Sequence, residues 1–483
     1  MENNTTILIP TSSQKVNSTR DIFNKLLSQV SPLDMHKSLG LSDEQQILKR
    51  QKIVLVVDNV IEIAKKSNYG LCQHNNQPYL FNGSYWIHLE EKLHSLLGEA
   101  ACKMGIDENE TRHHEFRSSL IKQFESIAIQ QLPIFGRKEI FINLLNGTLV
   151  IKSTGAHLKA FDSKDFITYQ LPFSYTENAT AQAFTKFLDR VLPDEKMQDI
   201  LSEYIGYLFI PNSEMKLEKV LLLVGEGANG KSTFFDIING LLGRENISTY
   251  SMSKLTDING YYRAMIGDKL VNYASEISPN MDTTVFKQLV SGEPVEARLP
   301  YGKPLLMENY ARFIFNTNEL PKDVEHNNAF FRRFLIIPFD ITIPEEEQDK
   351  SLAQKIVSSE LPGVLNWALK GLDRIIAQQK FTHSEKVNEI ISRFRQEADT
   401  VHTFIEETGY IATTEVWTPL KQLFDEYKGY CHDNLYRPVG NKTFKKRLNH
   451  LEFYSRKSNQ GQMLNITLPE TLNNIRITLK SLE

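Results

Sequence analysis

Cysteine is scarce in this 483-residue chain, with only Cys72, Cys102 and Cys431. An odd number of widely spaced cysteines excludes a disulfide framework and a cysteine zinc cluster, leaving reduced, structural thiols. Long apolar runs are missing too: no stretch reaches the roughly 18 residues that a membrane span needs, so no membrane partner is expected. The polar start Met1-Glu2-Asn3-Asn4-Thr5-Thr6 lacks the charged and apolar regions of a signal peptide, and a cytoplasmic location is expected. There is no internal repeat and no low-complexity tract. Nor is there an excess of positive charge. With a net charge of −4, contact with nucleic acid has to come from local basic patches rather than from a global field. What is present is ample apolar material, 41% of the residues, in a chain too long for one core, so several domains are expected.

The most specific chemistry lies in Gly225-Glu226-Gly227-Ala228-Asn229-Gly230-Lys231-Ser232, which fits the phosphate-loop pattern. It follows Val220 to Val224, a short apolar run suited to a parallel strand covered on both faces, and precedes a helical stretch, Thr233 to Leu242. Glycines let several backbone N–H groups turn toward a β-phosphate, and the helix beginning near Lys231 adds its positive end. Lys231 is expected to reach the β- and γ-phosphates, and the Ser232 hydroxyl to take one place on Mg²⁺. ATP and Mg²⁺ are therefore the expected ligands, held by residues Gly225 to Thr233.

Hydrolysis needs further groups, and the chain offers a candidate for each. Lys269 to Glu276 reads as an apolar strand ending in an acid, so Glu276 is expected near Mg²⁺ and the attacking water. Ala311 to Asn318 is a second buried-type strand, whose terminal Asn318 can hydrogen-bond a γ-phosphate or water, or else cap the turn before Pro321. Phe330-Phe331-Arg332-Arg333-Phe334 sets two guanidiniums among aromatics. One is expected to stabilise phosphate charge, often across a subunit boundary, and the other to form a salt bridge at the sheet edge.

Organisation along the chain follows from breakers and periodicity. Residues 1–40 read as a flexible arm, and 41–139 as a helical region interrupted by an aromatic hairpin, Tyr79 to Ile87, around Asn82-Gly83. A second hairpin is expected at Ile140 to Ile151 around Asn146-Gly147, then a strand and loop at Asp165 to Tyr175. Helices follow at Ala181 to Leu192 and Glu195 to Leu208, making 140–210 an α+β domain. Apolar segments alternating with helices assign 211–375 to an α/β core. Residues 384–483 read as a small α+β unit, with helices at Lys386 to Thr408, Thr418 to Asn434 and Lys442 to Leu451, then a hairpin from Phe453 to Leu468. Within it, Arg437, Lys442, Lys445, Lys446, Arg447, Arg456 and Lys457 form a basic patch in a stretch whose only acid is Glu452.

The ordered segments Gly225 to Ser232, Glu276, Phe286 to Glu293, Tyr301-Gly302-Lys303-Pro304, Thr317 to Pro321 and Arg332-Arg333-Phe334 resemble the motifs of superfamily 3 helicases. They are most similar to the poxvirus-type and phage/plasmid primase-associated branch. Leu144 to Leu149 and Glu203 to Tyr207 are similar to the domain preceding the motor there. The resemblance implies a multidomain fold: an AAA+-like phosphate-loop ATPase core, a mainly helical α+β region before it and a winged-helix-like domain after it. It makes Lys231 and Ser232 the Walker A pair, Glu276 the Walker B acid, Asn318 sensor 1, and Arg332 or Arg333 the arginine finger given to a neighbouring subunit. It also implies a hairpin within Lys287 to Lys303 that tracks single-stranded DNA, with Lys303 at its tip and Lys287 and Arg298 nearby. In the C-terminal unit, Lys442, Lys445, Lys446 and Arg447 lie on the helix that would enter a major groove.

Two departures stand out. One acid, not two, occupies the Walker B position, and the first 140 residues are too few for a primase domain beside the helical region. The implied function is a ring-forming, hexameric, ATP-driven DNA helicase of a phage, plasmid or mobile-element replication system. Its partners would be single-stranded and forked DNA, further copies of itself, and a primase or other replication protein. The alternative is a DNA-binding initiator that uses ATP to assemble on an origin with little translocation; a small-molecule kinase is a weaker third reading.

Overall fold

A computed structural model describes residues 19–74, 77–89, 92–129, 139–152, 155–275, 277, 281–300, 302, 304–318, 328–434, 436, 438–459 and 461–470. At the centre is a parallel sheet of five strands, β1 (Val220–Val224), β2 (Ile247–Ser248), β3 (Val271–Ala274), β4 (Arg312–Thr317) and β5 (Phe334–Pro338), in the spatial order β5-β1-β4-β3-β2. Their apolar runs are continuous because helices cover both faces; all five residues of β5 and all four of β3 are buried. Register is definite: Val224 pairs with Thr317 on one side and Pro338 on the other, and Ala274 with Phe315. The short edge strand β2 is held by Asn272, whose amide carbonyl accepts from Ser248 Oγ and Tyr250 N, each at 2.9 Å.

Upstream, Ile140–Leu144, Gly147–Lys152 and Gly155–Lys159 form an antiparallel sheet, followed by helices Gln182–Val191 and Glu195–Tyr207. The hairpin at Asn146-Gly147 matches its expected place, while its third strand was not read from the sequence. The strand expected after Asp165 is instead irregular chain after a short 3-10 turn, tied to the sheet by Leu171 N–H donating to Asn143 O (2.8 Å) and Leu145 N–H to Phe173 O (3.0 Å). One apolar cluster runs from Ile140 to Ala398, so this region and the parallel sheet share a core.

The segment Glu203 to Tyr207 is what welds them. Tyr204 Oη donates to Phe313 O on β4 at 2.7 Å, and the Arg312 guanidinium lies 3.3 Å from the centre of the Tyr207 ring. Arg312 also donates to the carbonyls of Tyr207 (3.0 Å) and Ile210 (2.8 Å). Against the same helix packs Leu361–Gln378, so closely that a Cβ on Gly371 would lie 2.2 Å from the carbonyl carbon of Ser202.

The N-terminal region has its own core, and it begins earlier than expected: helix Thr19–Gln29 buries Ile22, Leu26 and Leu27 in it, so the expected arm through residue 40 is corrected. Residues 1–18 lie outside the described residues. The aromatic hairpin pairs Gln77–Phe81 with Trp86–His88, and Gly70–His74 adds a strand that the sequence did not announce.

At the other end, the expected helix from Lys386 to Thr408 is two helices, Glu385–Glu397 and Thr400–Thr408, because Asp399 caps the second through the N–H groups of Val401 and His402. Val387, Ile390 and Phe394 of the first belong to the large core, not to the C-terminal unit. That unit packs Thr400–Thr408, Leu420–Asp433 and Asn441–His450 against a small antiparallel sheet containing Ser455–Ser458 and Gly461–Leu464. Among the described residues, no helix is long and apolar enough to cross a membrane.

Candidate nucleotide site and nucleic-acid surfaces

Strand β1 ends at Val224, the loop turns through residues 225–230, and helix Lys231–Leu242 begins on Gly230, whose φ of 88° falls in the left-handed region that suits glycine. Ala228 also has a positive φ, 58°, which a side chain tolerates poorly, so the loop stores backbone strain where a ligand would sit. Its back is closed. Asn229, buried, donates through Nδ2 to Phe339 O (2.8 Å), and Ile343 N–H donates to Ala228 O (2.8 Å). A Cβ on Gly225 would lie 2.3 Å from both Asn229 Nδ2 and Phe339 O, and one on Gly230 would lie 2.8 Å from Val191. Its front is open: a Cβ on Gly227 would meet nothing within 4 Å, and Glu226, Gly227, Ala228 and Ser232 are exposed, with Thr233 half-buried. A loop rigid behind and open in front, at a helix N-terminus, fits a phosphate group.

Lys231 is buried under this loop, its ammonium donating to Glu226 O (3.0 Å) and Asn229 Oδ1 (3.1 Å), and also to Gly225 O. Burial pushes its pKa below the usual lysine value. Asn318 is exposed and directly follows Thr317, whose carbonyl accepts from Gly225 N–H at 3.2 Å. Lys231 and Asn318 therefore share the carboxyl edge of the sheet. Glu276 lies outside the described residues; the strand leading toward it, β3, ends one strand beyond β4. Among the described residues, no group of three or more metal-ligating side chains gathers.

Three groups near the loop carry no signal in the sequence. Tyr273 Oη donates to Asn316 Oδ1 at 3.0 Å, linking β3 to β4 just below the site. Asp236, one turn into the helix, has its carboxyl pKa raised, chiefly by burial. Helix Gln182–Val191 backs the loop through Val191 and Phe187, and its first turn is held by Glu360, which accepts from Ala183 N and Phe184 N at 3.0 Å each.

The two arginines lie at the opposite, amino edge, roughly 20 Å along the strands from the loop. Their environments differ. Arg333 is buried and committed to its own chain, donating to Ser291 Oγ at 2.8 Å and to Ala329 O, with Glu218 at 3.5 Å. Its contacts match the structural role expected for one of the two arginines. Arg332 is mostly exposed, with one ion pair to Glu218 at 2.9 Å. Neither can reach the loop of its own subunit.

The expected hairpin exists: Val295–Arg298 pairs antiparallel with Pro304–Met307. Its outer side is apolar in part, with Leu306 58% exposed and the neighbouring Ile258 93% exposed. Arg298 turns back onto Tyr261, donating to its hydroxyl at 3.3 Å. Lys287 is not on the hairpin but half-buried on the preceding helix Thr283–Val290. Lys303 lies outside the described residues.

On helix Asn441–His450, Phe444 and Leu448 face the core, leaving Lys442 and Lys446 exposed and Lys445 half-buried. Arg447 differs from them: it donates to Asp399 Oδ1 at 2.8 Å, both side chains nearly buried, so it ties two helices together. Arg437 lies outside the described residues.

Comparison with known proteins gives matches of limited span. Residues 65–193 match a family described as "D5 N terminal like", and residues 223–333 match a family of unknown function, DUF5906. The first match crosses the boundary placed at 139 and 140. In Acanthamoeba polyphaga mimivirus, the protein named "Putative helicase L207/L206" is 27% identical over 177 residues, 34% of this chain and 18% of that protein. In Invertebrate iridescent virus 6, "Putative helicase 184R" is 26% identical over 215 residues, 40% of this chain and 21% of that protein. The matched segments thus span about a fifth of either relative. Solved structures described as the apo C-terminal region of NrS-1 align over 84% and 86% of this chain and 98% and 99% of theirs, at 12% identity and TM-scores of 0.46 and 0.47.

Proposed function

We propose that the chain is an ATP-driven DNA helicase of superfamily 3, working as a ring in the replication of a virus, phage, plasmid or mobile element. The observation that carries this reading is the loop at residues 225–230, clamped behind, open in front and seated over buried Lys231. The helicase names of the two viral relatives agree with it.

Backbone N–H groups of the loop and the Lys231 ammonium would bind the β- and γ-phosphates, and Asn318 would orient water at the next strand. Ser232 and Glu276 are the groups that would hold Mg²⁺, which supplies charge neutralisation on the phosphate oxygens. Arg332, exposed at the far edge, would serve the site of an adjacent subunit, which makes assembly a condition of hydrolysis. The hairpin between Val295 and Met307 would track one DNA strand with Lys303. The C-terminal unit is read as a winged helix presenting Lys442, Lys445 and Lys446 to duplex phosphates.

ATP hydrolysis measured with and without single-stranded DNA tests the reading. Stimulation by DNA that Lys303→Ala abolishes is the expected result. Hydrolysis indifferent to DNA would favour a protein that assembles on an origin without moving.

A further inference from the structure

The small C-terminal sheet has two faces, and among the described residues helices cover one of them. Leu464 lies in the core with Leu423, Phe444 and Leu448. Met463, of opposite parity, faces away from them, paired with Arg456 on one side and Pro419 on the other. Two further aromatics share this outer face. Trp417, two residues before Pro419, lies under the Arg456 guanidinium at 3.9 Å from its ring. Tyr454, two residues before Arg456, is 60% exposed and is kept in the ladder by Asn465, whose N–H donates to Tyr454 O at 3.1 Å.

Arg456 supplies this face with a cation. Arg456 is exposed; Lys457, also exposed, has the alternate parity; the stretch from Phe453 to Leu468 contains no acid, while Glu415 and Glu452 stand two residues before Trp417 and Tyr454 in the chain. The exposed Tyr454 ring and the exposed Arg456 guanidinium, the latter stacked on half-buried Trp417, suit unpaired bases, which stack on such planes while the backbone meets the cation. Duplex DNA hides its base faces and has no use for a stacking plane. The lysines of helix Asn441–His450 lie on the other side of the core, because Phe444 and Leu448 of that helix share it with the inner face of the sheet.

We propose that the outer face built from Trp417, Tyr454 and Arg456 is a second nucleic-acid site, specific for unpaired strand, so that the C-terminal unit holds a fork with duplex on its helix and a freed strand on its sheet. The inference rests on nucleic acid being the partner, not on the nucleotide chemistry.

Tryptophan fluorescence of the full chain, titrated with an oligothymidine of about 16 nucleotides and separately with a blunt duplex, tests it. Single strand is expected to quench a signal that Trp417→Phe removes, and Tyr454→Ala to weaken single-strand affinity about tenfold while leaving duplex affinity in place. Arg456→Lys keeps the charge and loses the plane, so it is expected to weaken single-strand binding as well. The proposal is overturned if the quench persists in Trp417→Phe, if Tyr454→Ala binds single strand normally, or if single-strand and duplex affinities fall together. ATP hydrolysis by the wild type, measured alongside, separates the two readings: its absence counts against the phosphate-loop assignment and leaves the Trp417 result standing.

Discussion

At the carboxyl edge of the central sheet, β1 opens into an accessible loop seated over the buried Lys231, while one strand away exposed Asn318 follows the end of β4. The amino edge of the same strands carries Arg332 and Arg333, roughly 20 Å off. On the proposed reading, strand direction divides the machinery: the loop lies at one edge of the sheet and Arg332 at the other, so the phosphate held by one subunit would be served by the arginine of its neighbour. A single subunit would then be half of a site twice over. Within the amino edge the two arginines differ at single-residue scale: both meet Glu218, but 333 is buried against Ser291 while 332 is mostly exposed.

The sharpest way to break this picture is Arg332→Ala, expected to lower ATP hydrolysis by about 10³-fold or more while ATP still binds, measured as turnover beside a nucleotide-binding titration. Gly225→Ala attacks the other edge. The new methyl group would collide with Asn229 and Phe339 O, displacing the loop and lowering hydrolysis on the order of 10²-fold, with nucleotide binding weakened as well. Arg333→Ala sharpens the contrast with its neighbour: it should lower unfolding stability by about 2 kcal/mol through its lost hydrogen bonds, seen in denaturant midpoints, yet leave the folded fraction competent in hydrolysis. Smallest is Lys446→Ala, expected to weaken duplex binding equally across sequences and to reduce the salt slope of binding by about one.

How much of this was legible in the sequence follows the same contrast. The loop could be read because eight consecutive residues specify it and a continuous apolar strand precedes it. The different surroundings of Arg332 and Arg333 could not, since both follow the same aromatic pair and both meet Glu218, and only the fold decides which one is buried against Ser291. Helical periodicity in Val387, Ile390 and Phe394 announces an apolar stripe but not the core it will meet, and it met the large one. Strand Gly155–Lys159 was missed because four of its five residues are exposed and it lacks the apolar alternation that marks a half-buried strand. Arg447 looked like one more cation of a basic helix until Asp399, far off in sequence, proved to be its partner.

Complementation in mixed assemblies tests the shared site most directly. Lys231→Ala removes the phosphate contact and keeps Arg332; Arg332→Ala does the reverse. Each variant alone is expected to hydrolyse almost no ATP, and their mixture to recover activity, because a Lys231→Ala subunit still offers its Arg332 to the intact loop of a neighbour. A mixture that co-assembles and stays inactive would contradict the account and return the search for the hydrolytic cation to the subunit that binds the nucleotide.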